Sequence, residues 1–118
     1  MTQEEKQLLL ADLCARLPYG VICQLSSGDT SITEKLGIGG LSDFMNGSMK
    51  IKPYFRPMSS MTEEEEDEYM IARQKDIAEA YIHATPQNAI DWLNKKMFDY
   101  RGLISMGLAL EAPEGMYE

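Results

Sequence analysis

One histidine, two cysteines and eleven lysines and arginines are all the imidazole, thiol and cationic groups that 118 residues supply. With His83 as the single imidazole, a zinc tetrad would need unusual oxygen ligands. Cys14 and Cys23 do not form a CxxC pair. A thiol nucleophile wants an imidazole base, and His83 sits near an expected helix end, where it caps better than it catalyses. No Gly-flanked nucleophile elbow surrounds Ser59 or Ser60, and GIGG (residues 37–40) falls short of the dinucleotide pattern, so it is read as a turn. These gaps point to no catalytic residue, no cofactor and no metal. Cations are scarce as well, against nineteen acids and a net charge of −8, which disfavours nucleic acid and anionic membrane surfaces. No apolar run approaches the ~20 residues that cross a bilayer. The start, MTQEEKQLLLADLCARL, sets acids before a short apolar stretch, the reverse of a signal peptide. The expected location is the cytoplasm, with both thiols reduced.

What the chain does have is one domain's worth of patterned residues. At 44% hydrophobic and 25% charged it has an ordinary globular composition. Thr2 and Glu5 have capping-box spacing, so a helix is expected to start there. Leu10, Leu13, Cys14 and Leu17 share its apolar face, widened by Leu8 and Leu9, and Pro18 and Gly20 stop it. Val21 to Cys23 and Thr30 to Thr33 favour strands around the turn residues Ser26-Ser27-Gly28-Asp29, which predicts a hairpin. LSDFM fits either a short strand or a turn of helix. MKIKPYF alternates, with Met49 and Ile51 on one side and Lys50 and Lys52 on the other, and its prolines place it at a strand end or a sheet edge.

Thr62 and Glu65 form a second capping box, predicting a helix from about Thr62 to His83. Met70, Ile77 and Tyr81, with Ala78 and Ile82 beside them, are its apolar stripe. Thr85-Pro86 starts another helix, with Ala89, Ile90, Leu93 and Met97 facing inward. The closing stretch has Leu103, Ile104, Leu108 and Leu110 to dock, then residues that look frayed. The fold class expected is α+β in a single domain, 1–118. It comprises an N-terminal helix (1–17), a small antiparallel β region compatible with an SH3-like sheet (18–58), two C-terminal helices (62–98) and a partly irregular tail (99–118).

The residues 52–70, KPYFRPMSSMTEEEEDEYM, pass from cations and aromatics to six consecutive acids, Glu63 to Glu68. Removing those six from −8 leaves −2, so the excess acidity is local. Carboxylates in a first helical turn are favoured by the helix dipole by about 0.3–1 kcal/mol each. The like-charged pairs Glu63/Asp67 and Glu64/Glu68 oppose this by a few tenths. The run is therefore tolerable as a water-facing helix start; its functional reading is a docking face for a basic partner or a weak cation site, though it lacks the Gly-containing loop of an EF-hand. Arg56 or Lys52 folding back onto it would lock the junction.

Three stretches are more distinctive than their chemistry requires: LLLADLCARLPYGV, IKPYFRPMSSMTEEE and DWLNKKMFDYRGLISMGLALEAPEGMY. They resemble an uncharacterised family of small proteins from gut Bacteroidales and their phages. The resemblance covers the N-terminal helix, the strand-to-helix junction and the C-terminal third. It implies a stand-alone cytoplasmic protein of phage or mobile-element type, and by analogy one that binds other proteins.

The leading expectation is a non-enzymatic module whose partner is another protein or a second copy of itself. Its expected contacts are Tyr54, Phe55 and Arg56 at the junction, Glu66 and Asp67 in the acid run, and Trp92 with Tyr100 and Arg101. An exposed apolar patch should accompany them near the junction or the tail. An alternative is a nucleic-acid-associated regulator using Lys50, Lys52, Tyr54, Phe55 and Arg56. A third is a small carboxylate enzyme, which would need two acids in a concave pocket.

Overall fold

A computed structural model describes residues 1–82 and 86–117. The expected caps at His83 and Thr85 lie outside the described residues. Helix α1 spans Gln3–Arg16. Thr2 Oγ1 accepts from Glu5 N (3.1 Å) and Thr2 N donates to Glu5 Oε1 (2.8 Å), so the capping box forms as its spacing predicts. Its inward face is Leu9, Asp12, Leu13 and Arg16, one residue out of step with the expected one. Cys14, assigned to packing from the sequence, is exposed. Two polar residues caused this rotation. Asp12 and Arg16 neutralise each other at 3.0 Å, and the Arg16 guanidinium lies 4.0 Å from the Phe55 ring centroid. An apolar-periodicity reading counts such residues as outward.

Strands β1 (Ile22–Ser27) and β2 (Thr30–Lys35) form the expected hairpin, with Ser27 opposite Thr30. Its two-residue loop puts Gly28 at φ +59°, where a side chain would be strained. Helix α2 (Ile38–Asn46) follows. GIGG is therefore no turn: Gly37 caps the helix and Gly39 and Gly40 build its first turn. Phe44, buried, and Leu41, half-buried, hold it down, and packing outweighs the poor helix propensity of glycine.

Strand β3 (Lys50–Phe55) alternates as its sequence does, burying Ile51, Pro53 and Phe55 and exposing Lys50 and Lys52. Of the two positions its prolines suggested, the sheet edge is not taken, since β3 is internal, while Pro57 does follow the strand's end at Phe55. The sheet order is β2-β1-β3-β4, an open row. Pro53 is tolerated because β1 pairs with Lys50 to Pro53, and β4 (Leu110–Glu111) takes over at Tyr54 and Phe55. The β3–β4 pairing is parallel, so the sheet is mixed rather than wholly antiparallel.

Helices α3 (Glu63–Glu79) and α4 (Asn88–Lys95) form a pair beside this sheet. The architecture is α+β, with an N-terminal helix, a four-stranded sheet and helices toward the C-terminus. Leu9, Leu13, Val21, Cys23, Leu25, Ile51, Phe55, Met97 and Leu103 make the centre of the core. Burial pushes the Cys23 thiol up to about 12, with Asp12 adding to the effect, so it packs as an inert apolar group. The tail is not frayed. Tyr117 Oη accepts from Ile22 N (2.9 Å) and donates to Tyr54 O (2.7 Å), pinning the chain end across β1 and β3.

Candidate docking face

The acid run starts α3 and is anchored at one point. Thr62 Oγ1 accepts from Glu65 N at 3.2 Å, and Glu65 Oε1 accepts from Thr62 N at 3.1 Å. The same carboxylate takes both arms of the Arg56 fork, Nη1–Oε2 at 2.7 Å and Nη2–Oε1 at 2.6 Å. Those Arg56 bonds, with the Thr62 cap bonds, hold the Glu65 carboxyl down at about 2 against the opposing effect of burial. The fold-back of Arg56 onto the run thus locks the junction. Arg56 also stands 4.2 Å above the Phe98 ring, and its backbone pairs with Met97 O (2.8 Å) and Asp99 N (2.9 Å).

Further along, α3 rests on α4 through a polar and aromatic seam. Tyr69 stacks on Trp92 (5.7 Å), and Trp92 on Phe98 (5.6 Å). Trp92 Nε1 donates to Glu68 Oε2 at 3.2 Å. Asp76 accepts from Asn88 N (2.8 Å) and Ala89 N (3.0 Å), supplying from α3 the N-terminal cap that α4 lacks on its own chain. The Ala89 N–H, with the Asn88 bonds, lowers the Asp76 pKa. Asn88 Nδ2 donates to Glu79 Oε2 at 2.9 Å. The half-buried row of α3 is Glu65, Tyr69, Ala72, Asp76 and Glu79, spaced alternately by four and three residues.

That seam turns the apolar stripe outward. Met70 is 48% exposed, Ile71 64%, Ile77 67%, Tyr81 94% and Ile82 78%. On α3, Met70, Ile71 and Ile77 lie opposite Glu65, Tyr69 and Asp76, and Tyr81 and Ile82 follow in the turn after the helix. The stripe expected to dock into the core is thus the helix's free face, and no residue of α3 is fully buried. Ile90, expected inward on α4, is 36% exposed, whereas Ala89, Leu93 and Met97 are buried as expected.

The residues singled out from the sequence are scattered. Phe55 is wholly buried and Tyr54 half-buried in β3. Arg56 and Trp92 meet on the two sides of Phe98 at the root of α3. Tyr100 and Arg101 belong to another cluster. Arg101 Nη1 reaches Asp12 Oδ1 at 2.6 Å, and Tyr100 Oη donates to Asn94 Oδ1 at 2.8 Å while its ring lies 5.2 Å from Arg16. Glu66 and Asp67 are exposed, as are Glu63, Glu64 and Glu68. Ile71 escaped the sequence reading of the stripe, although it sits seven residues before Ala78 on the same side.

An open groove of about 920 Å³ runs along the junction between α3 and the C-terminal tail, lined by Arg56, Glu65, Lys96, Pro113 and Met116 among others. Its charged groups are committed in part to one another, above all Arg56 to Glu65. Glu65 stays ionised far below neutral pH, which suits a structural anchor better than a general acid. Among the described residues no helix is long and apolar enough to cross a membrane. Compared with family models, with curated proteins and with solved structures, the chain matches none.

Proposed function

We propose that the protein is a non-enzymatic protein-binding module whose docking surface is the outer face of α3. One observation carries this reading: Met70, Ile71 and Ile77 on α3, with Tyr81 and Ile82 in the turn after it, face water while the polar side of the helix is used against α4. A lone amphipathic helix gains by turning its apolar side inward. Here the internal seam is built of polar hydrogen bonds, a borrowed cap and stacked rings instead, which leaves the apolar side for another molecule. Met70 and Ile71 form one exposed apolar group and Ile77, Tyr81 and Ile82 another, with Arg73, Gln74 and Lys75 between them, and exposed apolar groups of this kind mark interaction sites. The phage-type, cytoplasmic setting implied by the sequence resemblance suits such a module and forms part of the proposal. The nucleic-acid alternative is left with Lys50 and Lys52, because Arg56 is taken by Glu65 and Phe55 is buried. The carboxylate-enzyme alternative fares no better: of the run's acids in the open groove, Glu65 is held by Arg56, Glu68 accepts from Trp92 and Glu64 is exposed.

The test compares wild-type protein and an Ile71→Asp/Ile77→Asp double variant as baits in extracts of the source cells, read by quantitative mass spectrometry. Both should melt at the same temperature, since the altered side chains touch no core. A protein retained by the wild type and lost by the variant is expected. Equal recovery by both baits, with no difference in association state between them, overturns the reading.

A further inference from the structure

The docking face is bipartite, and its two halves together define what fits it. Seven, four and three residues before Met70 lie Glu63, Glu66 and Asp67, so these acids continue the side on which Met70 and Ile77 stand. Glu64 precedes Ile71 by seven residues and falls in line with it. All four carboxylates are exposed. The outer face of α3 therefore runs from an acidic half into an apolar half.

Resting on the docking reading above, we propose that the occupant is a cationic amphipathic helix of another protein. Its apolar row packs on Met70, Ile71 and Ile77, and a Lys/Arg-rich end lies over Glu63, Glu64 and Asp67. The orientation follows from the chain's own charges. Arg73 and Lys75 flank the apolar half, so a cationic end is repelled there and drawn to the other half. Helix α3 from Glu63 to Glu79 has seventeen residues, about 25 Å of helix, and matches a partner segment of between four and five turns.

A second copy of this chain fits the face poorly. Laid parallel, the acidic halves meet each other. Laid antiparallel in full overlap, each acidic half covers the other's Ile77 and Ile82 and leaves its carboxylates desolvated without partners. Sliding the helices until only the apolar halves overlap shortens the contact and leaves both acid clusters unused. A net charge of −8 on each chain adds repulsion to every arrangement.

The experiment is a display selection. A library of helix-biased 18-residue peptides is selected on the folded wild-type protein and depleted on the Ile71→Asp/Ile77→Asp variant. Survivors should share apolar residues at i, i+3 or i+4, and i+7, with lysines and arginines gathered at one end. A synthesised survivor should lose affinity at least tenfold against a Glu63→Lys/Glu64→Lys/Asp67→Lys variant, and lose it steeply as salt is raised. Survivors without a cationic end, binding indifferent to salt, or no survivors at all would overturn the proposal. So would a dimer, seen by sedimentation, that the Ile71→Asp/Ile77→Asp variant dissolves, or co-sedimentation with phosphatidylglycerol vesicles lost in that variant. A dimer leaves α3 as a docking face with a different occupant. The docking reading itself falls only if the double variant changes neither extract capture nor association state.

Discussion

At the scale of single residues, the buried ions set the most specific constraint. Arg16 and Asp12 are both fully buried. Arg16 donates to Asp12 through Nε (3.0 Å) and to Phe98 O through Nη2 (2.6 Å), while its Nη1 has no partner among the described residues. Its guanidinium lies between the Phe55 and Tyr100 rings, which compensates part of that loss. Removing one member of such a pair leaves a charge stranded in the core. Arg16→Ala should destabilise the fold by about 3–5 kcal/mol in urea unfolding, and Asp12→Leu/Arg16→Met should recover much of it. Arg101, the third member, remains half-exposed and would then turn to solvent.

Glu65 makes a second residue-scale prediction. Its pKa falls from 4.5 in the unfolded chain to about 2 in the fold, chiefly through Arg56. A depressed carboxylate contributes stability that is complete above pH 4.5 and is lost as pH falls toward 2. Denaturant midpoints should therefore drop across that window. Glu65→Gln should flatten part of the drop and lower stability at pH 7 by about 1–3 kcal/mol. Asp76, shifted in the same direction, keeps some acid sensitivity in the variant. A pH profile unchanged by Glu65→Gln would refute the Arg56 anchor.

Among the elements, capping and turn chemistry were legible and orientation was not. Both capping boxes, the β1–β2 hairpin and the alternation of β3 follow from residues close together in the chain. Helix α2 was hidden because Gly37, Gly39 and Gly40 resemble a turn, and only Phe44 entering the core reveals the helix. Strand β4 has two residues, too few for any pattern, and exists because Tyr54 and Phe55 offer it an open backbone. The tail that holds it depends on Tyr117. Replacing Tyr117 with Phe leaves Ile22 N and Tyr54 O without their partner and should cost about 1–3 kcal/mol. Hydrogen exchange at the Ile22 amide should quicken more than exchange at the centre of the β1–β2 ladder. Equal protection in the two proteins would show that the tail is held by other means.

For the whole molecule, shape and function meet in α3. The radius of gyration is 15.3 Å, where a compact chain of this length gives about 13.5 Å. The longest axis, 49 Å, is about twice the shortest, 23 Å. A 17-residue helix that leans mainly on α4 and buries none of its side chains fully is enough to stretch the body. The candidate site was half legible for the same reason. Its residues stood out as a stripe at helical spacing, but amphipathicity states only that a helix has an apolar side, and one chain in isolation implies that this side faces the core.

What the sequence by itself determined is where helices begin, where the hairpin turns, and that the acid run opens a water-facing helix. These depend on hydrogen bonds and dipoles acting within a few residues. Which side of α1 and α3 turns inward was decided only by the tertiary structure. Asp12 needed Arg16 and Arg101, Asp76 needed the free amides of α4, and Glu65 needed Arg56. Apart from the i,i+4 pair of Asp12 and Arg16, those partners lie nine to eighty-nine residues away along the chain. Once they are found, polar side chains can outbid apolar ones for the inside of a helix.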